Sequence, residues 1–318
     1  MTPAPDIGML VPPDWFTRPQ PERQARIDAA SQAGLDHLAV GDHVSFFVGA
    51  GFDGLTQATA LLAQHPTLRV HVAVYLLALR HPVPLARTLA TIAELAPGRL
   101  ALGVGVGGED RHEIEICGVD PATRGSRTDE ALAIVRGLLS GEPQTFHGRH
   151  FDLDDAVILP APTPPIPLLV GGRSDAALRR AARHGDGWLG IWVSDRRFAQ
   201  AAATVAELAE AAGREVPAWQ HELNVWCAFG PDRERARAHV APAMEGFYAT
   251  PFERFEKYSP HGRPEDVAEF LAPYVDAGCR TFNLIAANAD ADEAVDGVAE
   301  VRRLLRGRVD ASEARLAG

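Results

Sequence analysis

The pair Asp42-His43 ends an apolar run, DHLAVGDH over residues 36–43. An imidazole one residue past a strand faces a ligand at the mouth of the fold, and it titrates near neutrality, as proton transfer requires. The same position equally suits a histidine that caps the next loop through backbone hydrogen bonds. In LALGVGVGGED, residues 100–110, Gly103, Gly105, Gly107 and Gly108 follow a second apolar run. Glycines at this density let backbone approach a flat ligand, or simply make tight turns. The spacing is G-x-G-x-G-G, no helix opens inside it and no acidic residue ends the next strand, so a Rossmann dinucleotide site is rejected. Glu109 and Asp110 then stand at the rim, as solvated carboxylates or as a proton relay. In LLVGGRSDAALRRAA, residues 168–182, a strand, a Gly-Gly turn and a helix starting near Ser174 follow one another. Free N–H groups at that helix start, with Arg173 beside them, suit an anion. A plain turn with Ser174 as N-cap and Asp175 on the helix dipole explains the pattern as well.

Other chemistries lack their residues. His147, His150, Asp152, Asp154 and Asp155 match no metal motif and read as a solvated hairpin, so no metal is expected. There is no G-x-S-x-G for a hydrolase serine, and no strand end offers the glutamate pair of a glycosidase. Cys117, Cys227 and Cys279 are widely spaced and fit reduced thiols in a cytoplasm. Trp15, Phe16, Phe46, Phe47, Trp188 and Trp192 lie near strand ends, lining the mouth or packing in the core.

The elements that must hold these residues alternate. Apolar runs at 7–11, 37–40, 69–77, 100–106, 168–170, 188–192, 223–229 and 281–285 read as parallel strands buried on both faces. Amphipathic stretches at 21–33, 84–95, 128–139, 175–184, 198–212 and 264–277 read as helices, with glycine at several of their ends. This is the α/β pattern of a closed (β/α)8 barrel. Two intervals are too long for a minimal unit. Residues 141–166, after strand 4, suggest a hairpin and a proline-rich connection. Residues 230–263, after strand 7, suggest a helix, an aromatic segment (Phe247, Tyr248, Phe252, Phe255, Tyr258) and a turn. Both are read as insertions on one domain spanning 1–318. Barrel chemistry sits at the carboxyl ends of strands. That selects Asp42-His43, Val74–Leu77, Gly103–Glu109, Gly171–Ser174 and Val193-Ser194-Asp195.

Charge narrows the partners. Thirty-one basic against 42 acidic residues give a net charge of -11, with no basic cluster to meet nucleic-acid phosphates. The longest apolar run, Val72–Leu79, falls far short of the ~20 residues a membrane span needs. The first residues show no signal peptide, and a cytoplasmic protein acting on a small molecule is expected.

Several stretches, in order, resemble the bacterial luciferase-like superfamily of deazaflavin- and flavin-dependent oxidoreductases. VHVAVYLLALRHPVPLARTLATIAELAPGRLALGVGVGG is similar to that family's signature stretch, and GLDHLAVGDH to its second strand. FHGRHF, PIPLLVGGRSDAALRRAARHGDGWLGIWVS and GRPEDVAEFLAPYVDAGCRTFNL continue the likeness over nearly the whole chain. The resemblance implies a TIM barrel binding coenzyme F420 or FMN at the carboxyl end of its strands. His43 matches the active-site histidine, with Asp42 beside it to tune it. Ala73-Val74 falls where deazaflavin-dependent members have a non-proline cis peptide behind the ring. Gly107 and Gly108 match the loop near the ring, and Gly171, Gly172, Arg173 and Ser174 the phosphate-proximal loop. Ser194 joins the cofactor-binding set. Glu109 falls near an acidic proton donor, although Gly108 shifts the spacing by one. The lysines that bind a sugar phosphate in some relatives are missing, since Lys257 is the sole lysine. The implied activity is hydride transfer between deazaflavin F420 and a small organic substrate, by a homodimer. An FMN-dependent monooxygenase is the alternative, and a non-catalytic flavin-binding barrel the alternative of a different class.

Overall fold

The computed structural model describes residues 4–317 apart from Val48, Glu109 and Pro217, with side chains as far as residue 309. Strands β1 (Asp6–Leu10), β2 (His37–Val40), β3 (Arg69–Leu76) and β4 (Leu100–Gly105) come first. A hairpin of β5 (Gln144–His147) and β6 (Asp152–Ala156) follows, then β7 (Leu168–Gly171), β8 (Gly187–Ile191), β9 (Glu222–Phe229), β10 (His261–Gly262) and β11 (Thr281–Ala286). The bonded order is β10-β9-β11-β1-β2-β3-β4-β7-β8, and β8 also pairs with β9. Eight parallel strands therefore close into a TIM barrel. Every residue of β2, β4 and β7 is buried, which is why these strands read as unbroken apolar runs.

The helices are α1 (Asp14–Thr17), α2 (Gln20–Gln32), α3 (Gly54–Gln64), α4 (Pro82–Leu95), α5 (Arg111–Ile116) and α6 (Arg124–Leu138). They continue with α7 (Asp175–His184), α8 (Asp195–Ala211), α9 (Arg233–Tyr248), α10 (Pro264–Asp276) and α11 (Ala291–Ala317). None of the described helices is long and apolar enough to cross a membrane.

The chain packs as two compact units, the first comprising Met1–Ala39, Trp188–Glu207 and Pro217–Gly318, the second Val40–Gly187 and Leu208–Val216. In the first, β1 lies between β2 and β11, β11 beside β9, and β9 beside β8. A polar knot crosses its interior. His37 Nε2 meets Asn283 Oδ1 at 2.7 Å, and Asn283 Nδ2 donates to Glu222 at 2.9 Å and Asn224 at 3.0 Å. The long insertion packs Ala236, Val240, Met244 and Phe252 into a cluster flanked by Trp192, Trp226, Tyr248 and Phe255. Its end, read above as a turn, is the short strand β10, which pairs with Ala228 and Phe229 of β9.

In the second unit β4 joins β3 and β7, and the β3–β4 register shifts between Val72 and Tyr75. The peptide bond between Ala73 and Val74 lies in that interval and is cis. The β5–β6 hairpin is tied to α6 by one carboxylate: Glu130 accepts the amides of Arg149 at 2.9 Å, His150 at 2.8 Å and Phe151 at 3.2 Å.

One largely buried carboxylate also anchors α11 in the first unit. Asp36 accepts the Ile7 amide at 2.9 Å, Arg302 at 2.9 and 3.0 Å, and Arg306 at 2.9 Å. Asp36→Ala leaves Arg302 without this partner and Arg306 with Asp6 at 4.0 Å, and the expected loss is about 1.5–3 kcal/mol, the scale of a lost hydrogen bond to a charged group. Chemical denaturation measures it. An unchanged unfolding midpoint would show that the network adds nothing.

Candidate active site

Most of the expected site residues fall in the second unit, at the ends of its strands and on the loops that follow. Past β2 the chain turns back on itself: the His43 N–H donates to the Phe52 carbonyl at 3.1 Å, and Phe46 and Ala50 exchange backbone bonds at 2.7 and 3.3 Å. The His43 ring packs on Phe46 with centroids 4.1 Å apart and keeps a quarter of its side-chain surface. Its Nδ1 faces the Glu113 carboxylate, 3.2 and 3.3 Å from the two oxygens. The same carboxylate accepts the amides of Val44 at 2.7 Å and Ser45 at 3.1 Å. Burial alone would raise the Glu113 carboxyl, but bonds from His43 and the two amides outweigh it and hold the group below its ordinary value. Glu113 sits on α5, one turn after Asp110, whose side chain caps that helix through His112 N–H and takes the Phe47 amide at 2.6 Å. Sequence reasoning did not select Glu113.

Asp42 takes a different place from the one expected. Its side chain is wholly buried, and its bonds go to the amides of Gly54 and Leu76 and to Arg80, each at 2.9 Å, with none to His43. Burial pushes its carboxyl above the ordinary value, while Arg80 and the two amides pull it down. Among the described residues the carboxylate that meets the His43 ring is Glu113 and not Asp42, because the Asp42 side chain turns inward to the start of α3 and the end of β3. Arg80 bridges Asp42 and Asp53, the second at 3.3 Å, and lies over the Tyr75 ring at 4.8 Å.

A cradle surrounds the bulge at Ala73-Val74. Ala73 is buried and Val74 half-buried. A methyl group added at Gly105 would come within 2.5 Å of the Val74 side chain, and one at Gly171 within 2.9 Å, so two neighbouring strands are bare to admit it. Gly107 and Gly108 continue from β4, and the Arg124 guanidinium lies beside Gly108, its Nε buried without a hydrogen-bond partner. After β7, Gly172 adopts φ +122°, and a Cβ there would meet Ala177 at 2.9 Å. Ser174 caps α7 by accepting the Ala177 amide at 3.3 Å, and Arg173 and Ser174 are exposed. Backbone N–H groups at a helix start suit an anion, and the glycine walls of the bulge leave room for the Val74 side chain itself.

Ser194 belongs to the first unit, where it caps α8 through the Arg197 amide at 3.2 Å and lines a cleft of about 450 Å³ with Lys257, Tyr258 and Tyr274. Glu109 lies outside the described residues. The flagged aromatics divide: Trp15 and Trp188 are core, whereas Phe47 is exposed.

A family model described as luciferase-like monooxygenase matches residues 17–306. The F420-dependent glucose-6-phosphate dehydrogenase of Nakamurella multipartita is 28% identical over 230 residues, 65% of this chain and 63% of its own. The chain thus spans less than two thirds of that relative. An F420-dependent secondary alcohol dehydrogenase, solved with an F420-acetone adduct, superposes with a TM-score of 0.81 at 21% identity, covering 96% of this chain and 100% of its own. The oxygenating constituent of 3,6-diketocamphane monooxygenase from Pseudomonas putida, solved with FMN, superposes at 0.73 and 18% identity over 96% and 99%. These two likenesses establish the fold.

The lowered Glu113 carboxyl sets a pH dependence. Its ionised form contributes stability above the ordinary carboxylate range, and that contribution is lost as pH falls through the lowered folded-state value. The stability difference between the native chain and Glu113→Gln, followed by denaturation across pH, is therefore expected to be full at neutrality and to close in acid. A pH-independent difference would remove the charge from the account.

Proposed function

Because this chain belongs to the luciferase-like monooxygenase family, we propose that it is a coenzyme F420-dependent oxidoreductase that moves a hydride between the cofactor ring and a small organic substrate. The observation that carries this reading is the His43–Glu113 pair, set in the same unit as the glycine-walled bulge. The F420-dependent relatives support the choice of cofactor. FMN is the second reading, favoured by the FMN-bound neighbour of the same fold.

When bound, the deazaflavin supplies the hydride-transfer chemistry, and the chain supplies orientation and a proton partner. Glu113, ionised and bonded at Nδ1, holds the imidazole proton there and leaves Nε2 as the basic nitrogen. Nε2 accepts the hydroxyl proton as an alcohol is oxidised. In the reverse direction the imidazolium returns it, stabilised by the Glu113 charge. Asp42 positions rather than reacts: by holding Gly54 and Leu76 it fixes the loop after β2 against the end of β3. Ala73, Val74, Gly107 and Gly108 are assigned to the ring. Gly171, Gly172, Arg173 and Ser174 are assigned to the anionic tail, Ser194 joins the cofactor-binding set, and Glu109 is assigned to catalysis. The proposal extends to a single domain, a cytoplasmic homodimer and no nucleic-acid partner.

His43→Ala is expected to lower kcat by roughly 10²-fold or more while cofactor still binds, the scale usual for a general acid–base group. Turnover near the native rate in folded, cofactor-loaded protein would end the assignment. Gly172→Val, checked for folding by circular dichroism, is expected to weaken cofactor binding by about tenfold or more, since a branched side chain at that φ strains the turn. Unchanged affinity would place the tail elsewhere.

A further inference from the structure

The hairpin after His43 presents apolar surface beside the imidazole. The rings of His43, Phe46 and Phe47 run in series, with centroids 4.1 and 4.4 Å apart. Phe46 is buried, yet Phe47 keeps 46% of its surface, Val44 44% and Phe52 37%. Exposing three large apolar side chains in one short hairpin forgoes the gain of burying them. Here the exposure is imposed by the scaffold. Phe47 sits at φ 45°, a region bulky residues rarely enter, and its amide is held by Asp110. Glu113 holds the amides of Val44 and Ser45 in the same way. The charge around the hairpin is chiefly of one sign. Asp110 and Glu113 pin it, Asp42 and Asp53 stand at its base, and Arg80 is committed to that second pair. An anionic group brought there meets carboxylates at short range, whereas an uncharged one meets hydrocarbon.

We infer that this hairpin is the specificity element of the site, and that it takes uncharged substrates whose reacting hydroxyl or carbonyl carries an alkyl or aryl group lying on Phe47. The inference rests on the reading of His43 as the proton partner, and its test separates the two. The F420-loaded full chain is assayed for kcat/KM with 2-alkanols from 2-propanol to 2-octanol, and with lactate and glucose 6-phosphate as anionic members. The matching 2-alkanones and the two anions are titrated by calorimetry, so that binding is read without turnover. Affinity is expected to rise about twofold to fourfold per added methylene, as apolar burial predicts. The gradient is expected in KM rather than kcat. It is expected to flatten in Phe47→Asn, chosen because asparagine tolerates the left-handed backbone. Phe52→Ala serves as the second variant. A binding gradient that the variants flatten, in protein without turnover, overturns the oxidoreductase reading and with it the substrate assignment, while the hairpin's preference for uncharged, apolar ligands stands. A flat series, tighter binding of the anions, or a gradient unchanged in both folded variants overturns the specificity element, with or without turnover.

Discussion

The Glu113 carboxylate is the constraint on which the site depends. It is buried, and it gathers an imidazole N–H and two backbone amides from a loop 68 to 70 residues away in sequence. A buried carboxylate is costly unless every lone pair is used. Here the donors that satisfy it are the groups whose position matters. The charge therefore fixes the loop, the ring tautomer and the proton-bearing nitrogen together. A glutamine in its place has one accepting oxygen for the same donors and no charge to stabilise an imidazolium.

Asp42 repeats the device one residue before His43 and points the opposite way. Its oxygens bind the first amide of α3, an amide at the end of β3, and Arg80. His43 is thus held from both sides, its preceding residue locked into the strand ends and its following loop locked to α5. The barrel contributes rigid strand termini, and buried acids convert that rigidity into side-chain placement. The acidic balance of the chain is compatible with an anionic cofactor because the tail is assigned to a helix start with Arg173, a local matter.

The barrel was readable because parallel strands covered on both faces leave continuous apolar runs, and all eight runs lie within a residue or so of β1, β2, β3, β4, β7, β8, β9 and β11. Helices α2, α4, α7 and α10 followed from periodicity and glycine stops. Helices α3 and α5 did not. The first opens on a glycine after a loop of mixed glycine and aromatic residues, and the second is 6 residues long, too short to show a period. Missing α5 meant missing Glu113. A signal was present in the acid pair Asp110 and Glu113 spaced as a helix start, but only the folded chain brings that start to His43. His43 was found because it closely follows an apolar run; in the structure it stands three residues past β2, its amide held by the Phe52 carbonyl. The direction of Asp42 was not found, because no periodicity governs side chains in the turn beyond a strand.

The most direct measurement is the mass and absorption spectrum of the cofactor retained by protein made in a host that contains both deazaflavin and FMN. The account predicts bound deazaflavin. Protein that retains FMN alone, or that takes up neither cofactor on titration, would contradict it.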